Sequence, residues 1–109
     1  MIYKDFKGKK LSALGLGCMR LPVLNDENAA IDEAATAEMV DYAINHGINY
    51  FDTAWGSHMG NSEKVMGKLL AAYPRESFFL ASKFPGYDPS NLDKVAEIFE
   101  EQLSRCGVE

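Results

Sequence analysis

The chain has 109 residues, of which 47% are hydrophobic, including one Trp, six Phe and five Tyr. That is the composition of one globular domain with one core. With 11 basic and 16 acidic residues it carries a formal charge of −5, which argues against general binding to nucleic acid or anionic membranes. Its two cysteines, Cys18 and Cys106, lie far apart and form no metal-binding spacing, so neither a disulfide framework nor a metal site is expected. The opening MIYKDFKGKK is polar and no apolar run approaches the ~20 residues of a membrane helix. The expected location is a reducing cytoplasm.

Residues 1–14 read as a β-hairpin turning at Lys7-Gly8, with Lys4, Lys7, Lys9 and Lys10 as solvated edge residues. Residues 14–109 then read as three βα units with no linker dividing them. The first strand lies in the Gly-rich LGLGCMRL, Leu14 to Leu21. Pro22 to Ala35 are loop-like, and Thr36 is the expected N-cap of the first helix, with Glu38 in its first turn. Met39, Val40, Ala43 and Ile44 form its apolar stripe, and Gly47 its stop. INYFDTA is the second strand, rich in aromatic and β-branched residues. NSEKVMGKLLAAY is the second helix, capped by Asn61 or Ser62, burying Val65, Met66, Leu69, Leu70 and Tyr73. SFFLASKFP is the third strand. DPSNLDKVAEIFEEQLSRCG is the third helix, with Ser90 and Asp93 as a capping box and Leu92, Val95, Ala96, Phe99 and Leu103 facing inward. Strands alternating with helices imply a parallel sheet.

Ligands of such folds sit beyond the carboxyl ends of the strands. Three polar features fall there: the Gly17-Cys18-Met19-Arg20 segment, Asp52 and Lys83. An acid and an amine on adjacent parallel strands can form a close pair that fixes the ammonium. A purely structural salt bridge would look the same in sequence.

The hairpin YKDFKGKKLSALGLGCMRLP, the block NHGINYFDTA with GNSE after it, and the strand FFLASK together resemble the N-terminal part of an aldo-keto reductase, closest to bacterial members. The resemblance covers the chain in collinear order. It implies three of the eight βα units of a TIM barrel, a (β/α)8 fold closed at the bottom by the hairpin. It implies reduction of a small carbonyl substrate by a nicotinamide cofactor, usually NADPH. It places Asp52 and Lys83 in the catalytic set, with a Tyr expected five residues after Asp52. Ser57 stands at that position, and a Ser hydroxyl is far less acidic than a phenol, whose pKa is near ~10. Trp55 and His58 become walls of the substrate pocket, and Gly17, Cys18 and Met19 the nicotinamide side of the cofactor site. The His that should end a fourth strand, and the late loops that hold the dinucleotide phosphates, lie outside these residues.

The chain alone is therefore expected to be inactive and to bind the cofactor poorly, if at all. A non-catalytic module acting through open sheet edges is the alternative. Open edges, with Leu14, Leu16, and Tyr50 or Phe51 exposed where barrel interior should be, predict self-association.

Overall fold

The computed structural model describes residues 1–109. Strands β1 (Tyr3–Phe6) and β2 (Lys9–Ser12) form the antiparallel hairpin, with Phe6 paired to Lys9 across the turn. Lys7 and Gly8 both adopt positive φ, 50° and 80°, the tight turn that matches the twist of the flanking strands. A three-stranded parallel sheet follows: β3 (Leu16–Gly17), β4 (Tyr50–Asp52) and β5 (Phe79–Ala81), adjacent in that order. Helices α1 (Glu33–Asn45), α2 (Asn61–Leu70) and α3 (Val95–Cys106) complete three βα units. None is long and apolar enough to cross a membrane.

The hairpin sits under the N-terminal end of β4. Asn49, immediately before that strand, accepts the Ser12 N–H at 2.8 Å and donates to the Lys10 carbonyl at 2.9 Å. The Tyr3 hydroxyl donates to the Gly47 carbonyl at the end of α1. These bonds satisfy main-chain groups at the strand start and fix the hairpin as a floor.

Side-chain alternation along the strands sets the two faces of the sheet. Leu16, Phe51 and Leu80 share one level of the register. Phe51 is fully buried in a cluster with Val40, Val65, Met66 and Leu70, and Leu16 and Leu80 pack against it. Leu16 and Phe51 thus belong to the helix-side core: this corrects the expectation for Leu16 and decides the open alternative between Tyr50 and Phe51 in favour of Tyr50. Gly17, Asp52 and Ala81 occupy the next level and turn the other way. Tyr50 is half-buried on that second face, and Leu14 is 60% exposed.

Three helix starts differ from the sequence reading. Asp32, not Thr36, caps α1: its carboxylate accepts the Ala35 N–H at 3.1 Å, while Thr36 is buried and donates to the Asp32 carbonyl. Glu33 therefore takes the first-turn place assigned to Glu38. Gly60, at φ 92°, precedes α2 without a side-chain cap. Asn61 instead donates to the Ala29 carbonyl, and Ser62 to the buried Cys18 carbonyl at 2.8 Å. The Ser90–Asp93 capping box gives way to a short 3-10 turn, Pro89–Asn91, where the Asp88 carboxylate accepts from Ser90. Those bonds draw the Asp88 pKa down. At α1 and before α3 a neighbouring aspartate, Asp32 or Asp88, makes the local cap instead, whereas at α2 the candidate caps Asn61 and Ser62 are taken by partners 32 and 44 residues away.

The largest correction concerns the face of α3. Leu92, Val95 and Phe99 are 61%, 51% and 54% exposed, and Ala96 is exposed as well. Ile98, Gln102 and Cys106 point inward instead, one helical turn apart. The buried groups of α2 and β5 need a hydrogen-bond donor, which Gln102 supplies and an apolar stripe cannot.

Helix α3 also crosses α2 very closely. A Cβ added at Gly67 would lie 2.6 Å from the Cys106 carbonyl carbon. Gly67→Ala is expected to lower stability by about 1–3 kcal/mol through overpacking, even though alanine favours helix by about 1 kcal/mol. Urea denaturation reads this directly, and an unchanged midpoint would mean that the helices can part at no cost.

Candidate active site

The carboxyl ends of the three strands converge on one cleft of about 620 Å³, lined among others by Gly17, Met19, Asp52, Ser57, Lys83 and Tyr87. Asp52 is the last residue of β4, and Lys83 stands two residues beyond the end of β5. Lys83 Nζ lies 2.7 Å from Asp52 Oδ1 and donates to the Thr53 carbonyl at 2.9 Å. Gly17 and Ala81 flank Asp52 in the register, so the carboxylate rises between two small residues. The pair faces the cleft, with the Lys83 and Asp52 side chains 59% and 41% exposed.

Ser57 begins the 3-10 turn Ser57–Gly60 in the loop after β4 and is half-buried at the same cleft. The following residues, His58, Met59 and Gly60, all have positive φ, at 52°, 56° and 92°. Two consecutive non-glycine residues in this region store backbone strain. His58 is what holds the loop against it. Its Nε2 accepts the Leu21 N–H at 2.9 Å, and its Nδ1 lies 2.6 Å from the Asn28 carbonyl. With Nε2 accepting, the carbonyl contact requires the proton on Nδ1. Both ring nitrogens are thereby committed to main chain, and the ring is 3% exposed. His58 therefore ties its own loop to two points of the loop between β3 and α1 and has no proton free for the cleft.

His58 stands in the wall of the cleft, as expected, whereas Trp55 does not line it. The Trp55 ring sits beneath the Arg105 guanidinium, 3.7 Å from centroid to cation carbon, and is turned toward α3. Cys18 is fully buried, and burial pushes its thiol up to about 12. It offers the cleft no nucleophile and no side-chain surface. Gly17 and Met19 remain at the surface, and a Cβ on Gly17 would meet nothing within 4 Å. Cys106 is buried too, with its thiol raised to about 11 by desolvation and then by the Glu63 charge. Both cysteines are free thiols.

Sequence reasoning missed Tyr87, which is 80% exposed. It stands four residues after Lys83, and its hydroxyl reaches within 3.0 Å of where a Gly56 Cβ would be. The Gly-Tyr-Asp-Pro run at a strand's carboxyl end was the available signal. Chemically, the cleft offers a fixed ammonium, a carboxylate beside it, a primary hydroxyl and an exposed phenol.

The sequence profile of the Aldo/keto reductase family matches residues 13–109. An uncharacterized oxidoreductase of Bacillus subtilis, YrpG, is 36% identical over 93 residues, which cover 80% of this chain and 26% of that protein. The aldo-keto reductase AKR11C1 from Bacillus halodurans, in its holo form, superposes with a TM-score of 0.77 at 28% identity, covering 99% of this chain and 37% of that one. An aldo-keto reductase from Klebsiella pneumoniae in complex with NADPH has the same fold, with a TM-score of 0.76 at 21% identity, over 99% of this chain and 37% of that one. The chain thus spans well under half the length of these proteins, and its three βα units match part of their (β/α)8 barrels. On the profile match over nearly all of its length, this chain belongs to the aldo/keto reductase family.

Proposed function

We propose that this chain supplies one wall of an NAD(P)H-dependent carbonyl-reductase site, and that these three βα units alone do not reduce carbonyls. The observation that carries the reading is the Lys83–Asp52 pair, 2.7 Å apart at the cleft with Ser57 beside it. Lys83 brings positive charge to the point where a carbonyl oxygen gains negative charge, and Asp52 and the Thr53 carbonyl orient it. The Ser57 hydroxyl can donate a hydrogen bond to that oxygen, but it is too weak an acid to give up the proton near neutrality.

A nicotinamide ring fits the ground in front of β3, where Gly17 leaves open space and Met19 is 67% exposed. Gly17 and Met19 would hold that ring, whose chemistry is hydride donation to a small carbonyl compound. Cys18, buried behind them, would touch it only if the strand end moved. The two free, protonated thiols suit a reducing compartment, and we place the protein in the cytoplasm.

Titration with NADPH, followed by cofactor fluorescence, tests the reading. No saturable binding is expected at micromolar concentrations, and no turnover of a simple aldehyde. Micromolar affinity in the isolated chain would overturn it.

A second reading, association through the open edges, rests on its own observation. Strands β3 and β5 are each paired on one side only, and Val95 and Phe99 on α3, with Leu92 just before it, are exposed apolar residues. Sedimentation should show concentration-dependent association. A monodisperse monomer with a cooperative melt would end this second reading.

A further inference from the structure

Lys83 lies beyond the last rung of the sheet. The β4–β5 ladder ends at Asp52 and Ala81, and beyond it run only the bonds from the Thr53 N–H to the Ala81 carbonyl and from the Trp55 N–H to the Lys83 carbonyl, the second long at 3.2 Å. The ion pair it makes is solvent-exposed. Such exposed pairs stabilise weakly, while immobilising a long lysine side chain costs conformational entropy of at least comparable size. The pair is therefore too weak to fix its own geometry, and the backbone at residue 83 must be anchored by other groups.

Those groups form a closed circuit of hydrogen bonds. The Lys83 carbonyl accepts from the Trp55 N–H at 3.2 Å and from Gln102 Nε2 at 2.9 Å. Gln102 Nε2 also donates to Glu63 Oε2 at 3.0 Å. Glu63 Oε1 takes Arg105 Nη1 at 3.1 Å, and the same Nη1 donates to the Trp55 carbonyl at 3.2 Å, which returns the path to the Trp55 peptide. Ser82, the residue before Lys83, closes on Glu63 Oε2 at 2.6 Å. Glu63 is 0% exposed and Gln102 8%. Apart from Arg105 Nε, which has no hydrogen-bond partner, the members of this buried network satisfy one another, and such a network is rigid.

We propose that Glu63, Gln102 and Arg105 are positioning residues: they fix the main chain of Lys83 and Trp55, and so set where the Lys83 ammonium stands against Asp52. The inference rests on reading Lys83 as the ammonium of a reductase site, but its test does not. It also gives the buried face of α3 a role in the cleft, although none of the three residues lines it.

The experiment uses the chain itself. Gln102→Met keeps the volume and removes both N–H groups. Lys83 acylation by dilute acetic anhydride is followed by peptide mass spectrometry, with Lys68 as internal standard. Released from its anchor, the amine loses its bonds to Asp52 and Thr53 and should react about two- to five-fold faster, the ratio corresponding to an exposed ion pair. Val65→Ala, a core lesion outside the circuit, should leave the Lys83 to Lys68 ratio unchanged. An unaltered ratio in folded Gln102→Met, or the same rise in Val65→Ala, overturns the proposal. Should Gln102→Met not fold, Arg105→Lys keeps the charge but breaks the fork on Glu63 and Trp55. It must then raise the ratio in the same range while shifting Trp55 emission to the red, and failure of either change overturns the proposal as well. NADPH binding and turnover judge the reductase reading separately, since neither bears on amine reactivity.

Discussion

Glu63→Ala should lower the unfolding free energy by about 3–5 kcal/mol, the cost of breaking a buried ion pair from one side. The carboxylate is 0% exposed and receives Arg105, Ser82 and Gln102. Its removal strands a guanidinium that is itself only 15% exposed and whose Nε already lacks a hydrogen-bond partner. The exposed Glu101 carboxylate, 3.5 Å away on the same helix, compensates weakly. Small domains have only about 5–15 kcal/mol in total, so the loss is a large share of it, and thermal unfolding followed by far-UV circular dichroism should show a markedly lower midpoint. A midpoint within the error of the parent would show that water or Glu101 replaces Glu63, and that the network is peripheral to the fold.

The second large effect concerns chemistry. Residues 1–109 can be joined to the later strands of a family member such as the Bacillus halodurans protein, which this chain superposes on over 37% of its length. The chimera should bind nicotinamide cofactor yet turn over aldehydes poorly. Introducing Ser57→Tyr should then raise kcat by about 10²- to 10⁴-fold, the usual contribution of a positioned general acid. The reason is geometric as well as electronic. Position 57 shares the cleft with Lys83 and Asp52, and a phenol beside a fixed ammonium releases its proton more readily than one in water. KM should change little, because the interaction is strongest in the transition state. Equal kcat before and after the substitution would mean that the proton comes from another group, and would remove Ser57 from the account.

The hairpin was legible because Lys7-Gly8 can make a two-residue turn and the flanking residues alternate. The Gly47 and Gly107 helix ends, at φ 93° and 65°, were legible because a left-handed stop needs glycine. Asp52 and Lys83 could be singled out because charges at the ends of apolar strands violate the pattern around them. Their partnership followed from strand adjacency alone. His58 was not legible as a brace, because its two partners, Leu21 and Asn28, are 37 and 30 residues away and are main-chain atoms, which carry no sequence signature. Trp55 read as a pocket wall because its cation partner, Arg105, comes from a helix 50 residues later.

The sequence by itself determined the order of elements, the parallel sheet, the strand-end location of the acid and the amine, and the absence of a phenol at residue 57. The first three follow from local periodicity and from glycine and turn chemistry, and the last from counting along the chain against what the family resemblance implies. Only the tertiary structure decided which face of α3 is buried, where the helices are capped, and what holds Lys83 in place. Those outcomes depend on satisfying buried polar groups contributed by distant segments. An amide such as Gln102 is worth burying only once Glu63 and the Lys83 carbonyl have been brought within reach of it.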